Sequence, residues 1–156
     1  MIPLFTTLAQ VAALLLVSLV AGSMFGIWRG YDPALYSPAT FVEAHQGAVR
    51  GLNTLLPAMA IAALVLTVVL AILGRSRPTA LWLYIAAAVA IAIGGAITRL
   101  ANQPINELVM GWTPTSLPDN WTALRDSWWG WHLGRLAVTI GAELLLIAAV
   151  FADREG

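Results

Sequence analysis

Three stretches of the chain, residues 1–28, 51–74 and 78–98, contain no Asp, Glu, Lys, Arg or His. Each is as long as the roughly 20 residues a helix needs to cross the hydrocarbon core of a bilayer. A fourth apolar run, 136–152, is slightly short and carries Glu143, and extending its helix backward through residues 128–135 makes up the length. Lipid offers no hydrogen bonds, so a spanning backbone must satisfy itself as helices or as a closed barrel. Barrel strands alternate polar and apolar residues, and these runs do not. The expected fold is therefore all-α, a four-helix transmembrane bundle forming a single integral membrane domain over residues 1–156. The spans are expected at about 4–28, 50–73 with a helical extension from 38, 79–100 and 131–152.

Local signals refine this plan. The first run has no Lys or Arg ahead of it and exceeds the apolar core of a secretory signal, so it reads as a mature helix. Gly22 and Gly26 form a small-xxx-small pair that reads as ordinary helix packing. Ser37 before Pro38 fits an N-cap followed by proline at the first helical position. From there a long second helix is expected through Leu73, bent near Pro57. Gly74-Arg75-Ser76-Arg77-Pro78 reads as a tight loop. Residues 102–120 are expected to form an extended, Trp-rich connection between the third and fourth helices, with access to any pocket beneath it.

Composition removes whole classes of function. Only 10% of residues are charged, against about a quarter in soluble proteins, and eight Arg balance eight acidic residues. No basic surface is available for nucleic acid. The absence of cysteine rules out disulfides, thiolate metal sites and a Cys nucleophile. Arg75, Arg77 and Arg154 mark one side as cytoplasmic under the positive-inside rule, which puts both termini inside the plasma (inner) membrane. Six of the seven Trp then fall toward the opposite side, as an aromatic belt would.

The arginines beside apolar runs carry the functional signal. Arg50 opens the second span, Arg99 closes the third and Arg135 opens the fourth, so three cations are expected at one depth. Such residues either snorkel to the headgroups or face a bundle interior or wet cavity. Arg125, Trp128, His132, Arg135, Thr139 and Glu143 recur every three or four residues and form one polar stripe on a helix. Glu43, Gln46, Arg50 and Asn53 do the same on the second helix. The two stripes are expected to face each other around a pocket.

Gln46 and Arg50 followed by Pro57, then Asn102-Gln103-Pro104-Ile105-Asn106, then Trp121, Leu124-Arg125, Trp128, His132 and Arg135 resemble the anthrone oxygenase-like family of small four-helix membrane proteins. The most specific part is the Asn-x-Pro-x-Asn element followed by Trp-x3-Arg-x2-Trp-x3-His-x2-Arg. The resemblance implies a cofactor-independent oxygenase that converts polycyclic anthrones to anthraquinones. Its matching positions are Gln46, Arg50, Asn102, Asn106, Arg125, Trp128, His132 and Arg135. Chemistry and position add His45, Glu43 and Glu143.

An anthrone is acidic at the carbon opposite its carbonyl, and its anion can pass an electron to dioxygen without a flavin or metal. His132 is the expected base, tuned by Arg135. Arg50 and Arg135 would stabilise the anion, and Gln46, Asn102, Asn106, Arg125, Trp128 and Glu143 would line the substrate. The implied partners are the lipid bilayer, a lipophilic aromatic substrate and dioxygen, with no cofactor. Two other readings stay open. One is a metal- or haem-dependent oxidoreductase, with Glu43, His45, Asp126, His132 or Glu143 as ligands. The other is a non-catalytic protein that binds a lipophilic ligand or supports a partner.

Overall fold

The computed structural model describes residues 4–155 and is built from helices alone: α1 Leu4–Gly30, α2 Pro38–Leu52, α3 Leu55–Leu73, α4 Pro78–Ile97, α5 Gln103–Met110 and α6 Trp121–Glu155. They form four long tracts, each apolar enough to cross a membrane. The protein is an integral membrane four-helix bundle. Apolar faces of α1, α3, α4 and α6 meet in a core of small and aliphatic residues that includes Ala13, Ala63, Leu70, Ala87, Ala142 and Leu146. Alanines predominate there because close helix approach, more than apolar transfer, holds helices together in lipid.

The connection from α1 to α2 follows the sequence signals. Asp32 caps a short 3-10 turn by accepting from the Ala34 amide at 3.0 Å. The Ser37 hydroxyl caps α2 by accepting from the Thr40 amide at 3.2 Å, with Pro38 at the first helical position.

Two departures from the expected helices are both caused by proline. The second tract is interrupted at Asn53-Thr54 instead of bending as one helix. Pro57 has no amide hydrogen, and its ring crowds the carbonyl of Asn53, four residues earlier. The break lets α2 lean on α5 while α3 continues against α1 and α4. The third tract widens into a π-helical turn at Thr98–Asn102, where the Gln103 amide donates to the Thr98 carbonyl five residues back. Pro104 lies just beyond and removes the amide that would have bonded Leu100.

The long Trp-rich loop is corrected accordingly. Gln103–Met110 is helical, the irregular connection shrinks to residues 111–120, and Trp112 is its one tryptophan. Trp121, Trp128, Trp129 and Trp131 stand on α6.

At the other end of the bundle Asp153, 2% exposed, ties three elements together. It accepts from Arg77 Nη1 at 2.6 Å and from Gln10 Nε2 at 2.8 Å. Gln10 Nε2 also reaches the Tyr84 hydroxyl at 3.1 Å. This cluster pins the α3–α4 loop to α1 and α6.

Candidate functional site

The inward face of α2 is Phe41, Val42 and His45, with Val49 and Leu52 behind them. Beyond the adjacent pair Phe41-Val42 these residues are three or four apart, so one apolar helical face carries His45 inward and leaves Glu43 and Arg50 exposed. The expected Glu43-Gln46-Arg50-Asn53 stripe is therefore not the face turned to α6. Gln46 serves the connection instead, donating to the carbonyls of Val109 at 2.9 Å and Trp112 at 3.0 Å.

On α6, Trp128, His132, Arg135 and Thr139 are buried on one face, as their spacing requires. The stripe frays at its two ends. Arg125 folds over the Trp121 ring at 5.2 Å and pairs with its neighbour Asp126 at 2.8 Å. Glu143 lies half-buried between α6 and α1, accepting from the Ser18 hydroxyl at 2.6 Å.

Convergence of three arginines is corrected. Arg135 alone is buried, at 8% exposure. Arg50 is exposed at the end of α2, and Arg99 is exposed beside Gln103 at 3.1 Å and Glu107 at 4.0 Å. A long arginine near a helix end gains more from reaching headgroup water than from desolvation in the bundle.

The polar cluster has a fixed hydrogen-bond direction. The Trp128 indole can only donate, and its Nε1 lies 2.8 Å from Asn106 Oδ1. That atom is thus the amide oxygen, and His45 Nε2, 3.1 Å from it, must carry a proton and donate. In the neutral imidazole a proton on Nε2 leaves Nδ1 as the acceptor, so the Tyr31 hydroxyl donates to Nδ1 at 3.2 Å. The Asn106 amide nitrogen in turn donates to Asn53 Oδ1 at 3.0 Å. Asn102 is fully buried and donates to the Trp128 carbonyl at 3.0 Å, locking the π-helical turn to α6.

The same reasoning applies to His132. Its Nε2 donates to the Met24 carbonyl at 3.1 Å and its Nδ1 accepts from Arg135 Nη2 at 3.1 Å. Both nitrogens are engaged, and the ring stacks on Trp128 at 5.3 Å and 6°. Arg135 also donates to Thr98 Oγ1 at 3.4 Å and sits 5.9 Å from the Trp128 ring. Its Nε is buried with no partner, and among the described residues no carboxylate lies within ion-pair distance of it.

These groups border a cavity of about 440 Å³. Val17, Val20, Met24, Leu56, Leu64 and Ile91 give it apolar walls, while Tyr31, His45, Asn53, Asn106, Trp128 and Arg135 concentrate polarity at one end. Its size falls within the roughly 300–1,000 Å³ of small-molecule sites, and so does its mix of apolar wall and few convergent polar groups. Lining residues that are also exposed, Ile61 on α3 and Gly95 and Arg99 near the end of α4, mark its opening. The cavity thus opens on the flank between α3 and α4; no residue of the 111–120 connection lines it. Of the expected site residues, Asn106, Trp128 and Arg135 line the cavity, His132 and Asn102 stand behind them, and Arg50, Gln46, Arg125 and Glu143 lie elsewhere.

Tyr31 and His45 are the cavity residues that sequence patterns understate. Tyr31 falls in a turn signal, and His45 is overshadowed by the charged residues beside it. The apolar spacing of Phe41, Val42, His45 and Val49 was the available clue. Among the described residues no three His, Asp or Glu side chains are grouped as metal ligands would be; Glu43 is exposed while His45 is buried.

Fold and site together define a membrane-spanning four-helix bundle with an apolar chamber capped by an oriented His-Asn-Trp-Arg cluster. The family model described as anthrone oxygenase matches residues 46–145, well over half of the chain, and the protein belongs to that family. The matched stretch includes Asn106, Trp128, His132 and Arg135, and Tyr31 and His45 precede it. No curated protein and no solved structure matches the chain.

Proposed function

We propose that the protein is a membrane-embedded oxygenase that converts a lipophilic anthrone- or hydroquinone-like aromatic with dioxygen, without a cofactor. The observation that carries this reading is Arg135. A guanidinium nine-tenths buried, bordering an apolar chamber and lacking a carboxylate, is a costly arrangement unless an anion joins it. A deprotonated aromatic supplies that anion and fills the apolar walls. Arg135 then stabilises charge as it develops on the substrate oxygen, and afterwards on a peroxide, as a preorganised cation does in a dry site.

The overall conversion is balanced: an anthrone methylene and one dioxygen give a carbonyl and one water. Removal of a methylene proton gives the enolate, addition of dioxygen gives a hydroperoxide, and loss of the second proton with the terminal hydroxide gives the quinone. His132 acts here as a positioning residue. Its lone pair on Nδ1 holds Arg135 Nη2, and its stack on Trp128 keeps both in place. Asn106, Trp128 and Asn102 orient the polar end. Arg50, Gln46, Arg125 and Glu143 support the surrounding structure from outside the chamber.

In the orientation that the arginine bias favours, both termini face the cytoplasm and the chamber lies in the outer half of the inner membrane. Substrate reaches it laterally from lipid between α3 and α4, past Ile61 and Gly95. Purified protein in detergent, given a panel of anthrones and hydroquinones, is expected to consume dioxygen. Ligand binding with no oxygen consumption by any of them would instead make the protein a lipophile-binding module.

A further inference from the structure

From the direction of the hydrogen bonds around His45, we infer that Tyr31 is the acid–base residue of the chamber and that His45 stores its proton. This rests on the proposed oxygenase reading and deepens it. Three groups stand in line: the Tyr31 hydroxyl donates to His45 Nδ1 at 3.2 Å, and His45 Nε2 donates to Asn106 Oδ1 at 3.1 Å. A proton-bearing group, a base and an orienting group within hydrogen-bond reach are the arrangement that acid–base catalysis requires. Asn106 cannot rotate to spoil it, because the Trp128 indole holds its oxygen at 2.8 Å.

His132 cannot do this work from where it stands. Both of its nitrogens are occupied, and it does not line the cavity. Tyr31 and His45 both line it. Tyr31 is held edge-on to Trp128 at 6.0 Å and to Tyr36 at 5.2 Å, so its ring has a fixed seat.

The proton step balances without any outside reagent. The substrate C–H proton moves to the Tyr31 oxygen as the Tyr31 O–H proton moves to His45 Nδ1. The electron pair of the C–H bond stays on the substrate, now an enolate beside Arg135, and His45 becomes an imidazolium still bonded to Asn106. After dioxygen adds to the carbon, the same proton returns through Tyr31 to the terminal oxygen and gives the hydroperoxide. The relay then takes the second C–H proton and delivers it to the departing hydroxide, which leaves as water. His45 and Tyr31 finish as they began.

The test separates proton removal from oxidation. Anthrone deuterated at the methylene opposite its carbonyl is incubated with the full-length protein in detergent under nitrogen, and loss of deuterium is followed by mass spectrometry. Wild type is expected to accelerate the exchange. Tyr31→Phe and His45→Gln are expected to slow the catalysed exchange by about 100-fold or more, the range of general acid–base contributions, with anthrone affinity unchanged. Exchange at the wild-type rate in Tyr31→Phe would overturn the assignment even if the protein consumes dioxygen. Loss of anthrone binding together with exchange in both variants would assign the pair to packing and overturn it too. Exchange that depends on Tyr31, from a protein that consumes no dioxygen with any substrate, would uphold the relay and sink the oxygenase reading alone.

Discussion

The Trp128 indole nitrogen and the Asn106 side-chain oxygen meet at 2.8 Å, and this contact dictates the direction of the hydrogen bonds that run through His45 to Tyr31 and through Asn106 to Asn53. Asn106→Leu would strand two buried donors, the Trp128 and His45 N–H groups. Each stranded donor costs about 1–3 kcal/mol. The variant is expected to unfold at clearly lower temperature in detergent, while Trp128→Phe, which removes one donor and leaves the His45 bond, falls between it and wild type. Equal melting of Asn106→Leu and wild type would show that the chain of bonds carries no stability.

Arg50 and Arg135 differ in burial, and that difference should govern their effects. Arg50→Ala, at an exposed position outside the chamber, is expected to leave oxygen consumption at the wild-type level. A large loss in this variant would show that the cations act together after all, and steady-state oxygen-electrode rates decide it.

Gly95 sits at the flank opening, where an added Cβ would meet nothing within 4 Å. The backbone there has room for a side chain to begin, and Gly95→Leu is expected to narrow the way in from lipid. The expected result is a raised KM for bulky anthrones with kcat little changed. An unaltered KM across substrates of increasing size would move the access route elsewhere.

At the opposite end of the bundle, the Arg77 side chain is 35% exposed while the side chain of its partner Asp153 is 3% exposed. Removing the arginine leaves a buried carboxylate with Gln10 as its remaining side-chain donor. Arg77→Ala is expected to cost more than the roughly 0–1 kcal/mol of a surface pair, up to the roughly 3–5 kcal/mol of a broken buried one. Chemical denaturation in detergent measures the loss, and substrate turnover per folded protein should not change.

How far the sequence could be read depended on whether the signal was local. Three spans follow from the absence of charge, and the Ser37-Pro38 cap from its own two residues. The inward set Trp128-His132-Arg135-Thr139 follows from spacing on a single helix. Pro57 and Pro104 announced disturbances, but a proline states that a hydrogen bond is lost and leaves open whether the helix bends, breaks or widens. Packing chose a break at Asn53-Thr54 and a π-helical turn at Thr98–Asn102. On α2 charge and apolar spacing point to different faces, and apolar spacing decides which one turns inward. Glu43 and Arg50 look chemical, yet near a helix end both reach water at little cost, and the face holding Phe41 and His45 turns inward. Tyr31 was beyond local reading. Its meaning comes from His45, fourteen residues on, and from Asn106, seventy-five residues on, which only the fold brings together.

The central claim is that Arg135 awaits an anionic aromatic at the polar end of an apolar chamber. Dioxygen consumption by purified wild type and Arg135→Gln, each supplied with anthrones, tests it most directly, alongside anthrone binding. The account predicts one dioxygen consumed per anthraquinone formed by wild type and a fall of about 100-fold or more in Arg135→Gln, as for removal of a preorganised charge stabiliser. Turnover in Arg135→Gln equal to that of wild type would contradict it.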